Sequence, residues 1–458
     1  MVFSSVEFIF IFLPICLIGY YLISKKHRTA RNAFLLVMSL AFYAAGEPKF
    51  VAVMVASIVI NYGMALLIAS AEGNRRAGTA ILALALALDL ALLFYYKYIW
   101  FAIDTLNRAF KLSLDYIYVT LPIVISFFTF QEMSYVIDVY RGKVPVQKNP
   151  LIVALYVAFF PQLIAGPIVR YSDICEEIQS RKETADDFAY GITRFAEGLA
   201  KKTILANNLA VAADYAFNLR PELLGTGVAW IGAVAYSLQI FYDFSGYSDM
   251  AIGLGRMFGF HILENFNFPY VSGSISEFWR RWHMSLSSWF RDYVYIPLGG
   301  SRKGNVYGNL LVVFALTGLW HGASWTFVVW GLWNGFFVIA ERFAKNHLHL
   351  KMPGILSHVY TLFVCVTGWV FFRAIGMQEA LAYLKSMFVF TKGVPNDALY
   401  ALSDFGPMIL ISALFSIPLI KREKLPKILQ LVFTVILLVM GLLFVISGTY
   451  NPFIYFNF

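Results

Sequence analysis

The chain reads as an all-α polytopic membrane protein, and three observations carry that reading. Of its 458 residues 59% are hydrophobic and 14% charged, too few charges to cover an ordinary globular surface. Several apolar runs reach or exceed the ~20 residues needed to cross a bilayer. No run alternates as a barrel strand does, and lipid admits only helices or closed barrels because it satisfies no backbone polar group.

Apolar runs fall near 6–23, 32–45, 50–70, 78–96, 119–137, 151–169, 228–260, 306–320, 322–340, 355–375, 405–420 and 428–447. The first has no Lys or Arg before it and no small-residue cleavage site after it, so it reads as a retained span. Lys25, Lys26, His27, Arg28 and Arg31 follow the first run, Arg75 and Arg76 the third, and Arg141, Lys143 and Lys148 the fifth. The positive-inside rule puts these alternate loops in the cytoplasm and the N-terminus outside. Arg302-Lys303, Arg342 to Lys351 and Lys421-Arg422-Glu423-Lys424 fall on the same inner side, leaving the C-terminus outside. The formal net charge of +9 therefore reads as membrane topology and lipid contact, not nucleic-acid binding.

Pro161, Gly166 and Pro167 make the run at 151–169 a broken, re-entrant segment, because helix breakers at depth need shielded backbone. Residues 171–202 are then cytoplasmic; a full crossing would put them outside. Asp187 to Asn218 is too polar to span and reads as amphipathic helix, with Phe188, Ile192, Phe195 and Leu199 at helical spacing. Gly273 to Gly304 mixes arginines with tryptophans and phenylalanines, as an interfacial segment does. The expectation is one transmembrane domain over 1–458, with about 11 spanning helices plus re-entrant and interfacial ones.

Chemistry points first to His321, the one acid–base group near neutral pH in the apolar stretch Val306 to Ala340. An ionisable group at membrane depth usually does chemistry or lines a polar path, and imidazole suits proton transfer. As one helix these 35 residues would run ~52 Å, too long for a ~30 Å core. A break is expected at Gly318 and Gly322, which would let His321 face a cavity. The bland alternative is a histidine bonded to a neighbouring helix. His283, in Trp279-Arg280-Arg281-Trp282-His283-Met284-Ser285, is the second candidate, placed nearer the cytosol; beside arginines it could equally be an interfacial anchor.

Arg280, Arg281 and Arg291 could hold donor phosphates or lipid head groups. Trp282 belongs to the same segment. Two carboxylates, Asp243 and Asp249, lie with Tyr242 inside an apolar run; they could line a cavity or pack helices. Gln131, in Phe127 to Asp138, could face the same space. No Cys, His or carboxylate stands at ligand spacing to either histidine, so no metal is expected. Cys16, Cys175 and Cys365 are isolated and imply neither disulfides nor a metal.

Phe278 to Ser287 followed by Tyr295-Ile296-Pro297-Leu298-Gly299-Gly300, and then Leu319-Trp320-His321-Gly322-Ala323, resemble in order the signature of the membrane-bound O-acyltransferase (MBOAT) family. Phe127 to Arg141, Pro161 to Arg170, Tyr242 to Ala251 and the closing Pro452 to Phe458 resemble it too, and are most similar to its alginate O-acetyltransferase (AlgI-like) branch. The resemblance implies transfer of an acyl group from a cytoplasmic thioester to a hydroxyl reached from the other face. It makes His321 the family's catalytic histidine and His283 its second one. It further implies acetyl-CoA as donor substrate with no resident cofactor, a polysaccharide acceptor, an extracytoplasmic SGNH-type acetyltransferase as partner, and a bacterial cytoplasmic membrane. Trp320, Ser324 and Asn334 are the candidate donors for the negative oxygen of a tetrahedral intermediate. Two other readings stay open. One is the related D-alanyl transferase of teichoic-acid modification, fed by a carrier protein. The other is a transporter without bond chemistry; transporters often show two related halves, and no repeat is visible here.

Overall fold

The computed structural model describes residues 1–164, 166–350, 352–419 and 425–448. Ala165, Lys351, Lys421 to Lys424 and the closing Pro452 to Phe458 lie outside the described residues. Among those described there are helices and no strand, so the all-helical expectation holds. In chain order the α-helices are α1 Leu13–Leu22, α2 Arg28–Gly46, α3 Val51–Ser70, α4 Arg75–Leu93, α5 Ile99–Phe110, α6 Ile125–Tyr140, α7 Pro150–Ala158, α8 Phe160–Leu163, α9 Tyr171–Ser180 and α10 Ala185–Ala200. There follow α11 Asn207–Phe217, α12 Thr226–Met257, α13 Ile275–Arg281, α14 Met284–Phe290, α15 Val306–His321, α16 Trp325–His347, α17 Gly354–Arg373, α18 Met377–Phe388, α19 Asp397–Phe415 and α20 Lys427–Ser447. Among the described residues six helical stretches are long and apolar enough to cross a bilayer: Pro48–Ser70, Arg75–Phe110, α16, α17, α19 and α20. Their lipid-facing sides carry exposed Leu, Ile, Val and Phe in numbers no water-facing surface would hold. This is a multi-pass membrane protein.

The chain divides into two compact units, Met1–Phe195 with Ser248–Leu263, and Ala196–Tyr247 with Glu264 onward. In the first unit Phe3, Phe8, Phe12, Phe42 and Phe160 pack ring on ring with centroids 4.8–6.4 Å apart. Beside them two buried arginines satisfy the orphan carbonyls of helix ends. Arg31 donates to Ile23 O just past α1, at 2.7 and 2.9 Å, and Arg181 to Ile178 O of α9 and Phe258 O just past α12, at 3.1 and 3.0 Å. Glu183 balances part of the charge through Arg28 and Arg31. Burial pushes its carboxyl up, but hydrogen bonds from Arg28 and Tyr20 outweigh that and hold it at about 2. As the prolines require, the run at 151–169 breaks: α7 ends at Ala158 and α8 is a single turn. The Asp187–Asn218 stretch is helical but not one α-helix, because a π-turn at Lys201–Ala206 separates α10 from α11.

In the second unit the long apolar stretch breaks where its length demanded. Helix α15 ends at His321, Gly322 is extended, and Ser324 caps α16 by accepting from Thr326 N. Gly322 makes the break; Gly318 stays helical and does something else. A Cβ there would lie 2.3 Å from Phe327 O, and one on Gly331 would lie 2.2 Å from Phe314 O. These two glycines let α15 and α16 touch backbone to backbone, which fixes the register of the turn that carries His321. The arginine-rich segment folds into two seven-residue helices, α13 and α14, which present His283 at their joint.

Candidate active site

His321 is the last residue of α15 and is buried. Its imidazole stands in a box of rings. Trp320 lies at 5.0 Å between centroids, Trp330 at 5.0 Å and near-perpendicular, and Phe372 at 5.1 Å. The fourth neighbour is His283, whose ring centroid lies 6.5 Å away. The two histidines are 38 residues apart in sequence (321 − 283) and the fold brings their rings side by side.

The His283 ring is fully buried and its backbone is left-handed, with φ 41°. For a residue with a Cβ that is a strained conformation of the kind functional sites retain. Phe244 stands over the ring edge-on at 4.6 Å, and Trp320 lies 5.9 Å away. Asn265 reaches it from the loop before α13. Its Oδ1 lies 3.1 Å from His283 Nδ1 and accepts from Ser285 N at 3.2 Å and Ser285 Oγ at 2.9 Å. A backbone N–H can only donate, so the Ser285 contact fixes which end of the amide faces this cluster. The Asn265 oxygen then requires a hydrogen on His283 Nδ1, leaving Nε2 as the acceptor; Nε2 is buried without a hydrogen-bond partner. Burial holds this imidazole neutral by lowering its pKa to about 3.

The other sequence candidates divide clearly. Trp320 stands beside both histidines. Trp282 is a core residue, packed on Trp369 at 4.9 Å and Phe266 at 5.1 Å. Arg281 is tied to Glu277 at 2.9 Å and to Asn267 O at 3.2 Å, which braces α13. Arg291 pairs with its neighbour Asp292 at 2.6 Å. Arg280 lies on a cleft of about 1290 Å³ that also contains Arg342, Lys345 and Tyr360. Ser324 is occupied as the cap of α16. Asn334 donates to Trp330 O at 2.8 Å and accepts from Trp279 Nε1 at 3.3 Å, so it secures the Trp330 that walls His321.

Tyr242 bonds Ser412 O and ties α12 to α19. Asp243 is ion-paired with buried Lys202 at 2.7 Å, and Asp249, in the first unit, with Arg194 at 2.8 Å. These two carboxylates thus have cationic partners supplied by α10 and the turn after it. Gln131 is buried in the first unit, its backbone O accepting from Ser134 Oγ and Tyr156 OH. Asn265 and Lys202 are the residues that sequence reading passed over: Asn265 lies 18 positions from the histidine it serves, and Lys202 in an apparently solvated stretch.

A membrane-embedded helical protein with two buried, ring-walled histidines side by side has the form of a membrane-bound transferase. That class is borne out by comparison. The family model described as "MBOAT, membrane-bound O-acyltransferase family" matches residues 143–377. Similar proteins include the probable alginate O-acetylase AlgI of Pseudomonas aeruginosa, 45% identical over 400 residues that cover 85% of this chain and 75% of that one. The peptidoglycan O-acetyltransferase of Helicobacter pylori is 34% identical, covering 100% of this chain and 98% of its own. The teichoic acid D-alanyltransferase of Bacillus subtilis is 32% identical over 54% of this chain and 67% of its own. The chain belongs to the MBOAT family and is an O-acyltransferase.

Proposed function

We propose that this protein moves acetyl groups from cytoplasmic acetyl-CoA to hydroxyls of an extracytoplasmic cell-surface polysaccharide, with His321 as general base. The observation that carries the reading is the His321–His283 pair in its ring-walled site, in a chain whose O-acetylase relatives match along 85–100% of its length. The D-alanyltransferase relative matches only 54%, which favours acetyl over D-alanyl transfer. The N-terminus lies outside a bacterial cytoplasmic membrane in this reading. An SGNH-type acetyltransferase on that side completes delivery to the polymer.

The thioester is already activated, so the site has to align it and manage one proton. Neutral His321 accepts the hydroxyl proton as the oxygen attacks the acetyl carbonyl. Collapse of the tetrahedral intermediate breaks the C–S bond, and the proton passes from His321 to the leaving thiolate. In this reading Trp320, beside both imidazoles, supplies its indole N–H to the negative oxygen, while Ser324 caps α16 and Asn334 holds Trp330. General base catalysis of this kind supplies ~10²–10⁴-fold. The test is acetyl transfer from acetyl-CoA by the purified protein in nanodiscs, wild type beside His321→Ala. A folded variant that loses turnover by about that factor supports the reading; undiminished turnover by the variant overturns it.

A further inference from the structure

Two buried histidines share this site, and the structure gives them different chemistry. His283 is locked by three elements at once: the joint of α13 and α14, the Asn265 loop and the Phe244 face of α12. Its Nδ1–H is committed to Asn265. Its Nε2 lone pair is buried and bonded to nothing in the protein. An orphaned acceptor of this kind is costly unless something bound supplies a donor. The accepting hydroxyl has one hydrogen, and in the reading above that hydrogen goes to His321. In this reading the donor for His283 comes from the other substrate. In a coenzyme A or carrier-protein thioester, the group nearest the sulfur that can donate is the amide N–H two carbons away.

We propose that Asn265 is a positioning residue that fixes His283 in its Nδ1–H tautomer, so that the bare Nε2 accepts a hydrogen bond from the amide N–H of the donor's pantetheine arm. The proposal rests on the thioester-donor reading given above. It makes His283 a neutral anchor for the donor and leaves His321 as the one base. It also explains why Asn265 spends a single oxygen on three donors: Oδ1 holds Ser285 N and Oγ, which start α14, and thereby holds the ring between them. The charged and titratable groups on the elements packed round His283 are few. His321 lies at 6.5 Å, and Asp243, next to Phe244, is held by Lys202. Glu277 and Arg281 pair with each other on α13, as Arg291 and Asp292 do beyond α14, and Arg280 lies on the cleft.

The experiment compares acetyl-CoA with an analogue in which an ester oxygen replaces that amide N–H, using the full-length protein in nanodiscs. Wild type should prefer acetyl-CoA by about 10–100-fold in kcat/KM, the cost of leaving a buried acceptor unmade. Asn265→Leu, which frees the tautomer, should lose most of that preference. Asn265→Asp keeps an acceptor against Nδ1–H, so it should restore the preference, and its carboxylate should add a loss of activity on the acid side that wild type lacks. Equal use of both donors by an active wild type overturns the inference and leaves the transferase reading standing. A folded wild type that turns over no acetyl-CoA overturns the donor reading itself. Should Asn265→Leu fail to fold, the wild-type preference and the Asn265→Asp pH profile decide the matter: an Asp variant whose activity follows the wild-type pH curve overturns the positioning role.

Discussion

A close backbone approach beside the site makes a sharp prediction. Adding one methyl group as Gly318→Ala places a Cβ 2.3 Å from Phe327 O, whereas ordinary contact begins at 3.4 Å. The obstruction is backbone, so no rotamer relieves it. Helices α15 and α16 must part locally by about 1.1 Å (3.4 − 2.3). His321 is three residues further along α15, and a misplacement of about 1 Å at a reacting group costs on the order of 10²-fold in rate. Overpacking costs about 1–3 kcal/mol, against which the better helix propensity of Ala returns about 1 kcal/mol. The net loss of stability is thus modest while the loss of activity is large. The control is Gly63→Ala in α3, where a Cβ meets nothing within 4 Å. The assay pairs acetyl-transfer turnover with the thermal unfolding midpoint in detergent. Equal behaviour of the two alanine variants would refute the claim that this close approach sets the position of His321.

Two further perturbations follow from the buried charges. Lys202→Met strips Asp243 of its 2.7 Å partner and should destabilise the protein by about 3–5 kcal/mol, whereas Lys202→Met combined with Asp243→Leu should recover most of that; unfolding of the three variants in detergent checks it, and additive losses would count against the pair. The His283 imidazole is held neutral, its pKa lowered from 6.5 to about 3 by burial. The unfolded chain therefore binds the extra proton first, and this contribution to stability is complete above pH 6.5 and falls as pH drops toward about 3, by up to ~1.4 kcal/mol per unit. His283→Gln should flatten the acid side of the stability curve by that amount, measured as midpoints between pH 7 and 4, and parallel curves would show that the histidine titrates normally.

What the sequence made legible follows from what leaves a local trace. Runs of apolar residues announce helices because lipid punishes every other backbone arrangement, and Gly322 announced the break at His321 because 35 apolar residues cannot span as one rod. His321 stood out because nothing else in its stretch could exchange a proton near neutral pH. Asn265 left no trace: one asparagine among polar loop residues looks like a turn former, and its role exists only once α13 and α14 fold back on it. The carboxylates illustrate the same limit from the other side. Asp243 and Asp249 looked open to a pathway because Lys202 and Arg194, which neutralise them, lie some 40 or more positions earlier on a segment whose amphipathic pattern suggested water.

That last point bears on the rival reading of a transporter. A transport pathway at membrane depth needs ionisable groups that change partners as substrate passes. Here Asp243 and Asp249 are each clamped by a cation at 2.7 and 2.8 Å, and breaking either clamp strands a buried charge. Among the described residues of the second unit, the two imidazoles stand together in the ring-walled site. One of them is held neutral with its acceptor bare. A site that needs one base and one fixed acceptor is what transfer between a thioester and a hydroxyl requires. A conduit for a polymer, with many equivalent hydroxyls moving past, would instead need a repeating polar lining. The fixed ion pairs and the paired histidines thus argue in the same direction: these polar groups are each held in one geometry, as transfer at a fixed site requires, and are not arrayed for a polymer to pass.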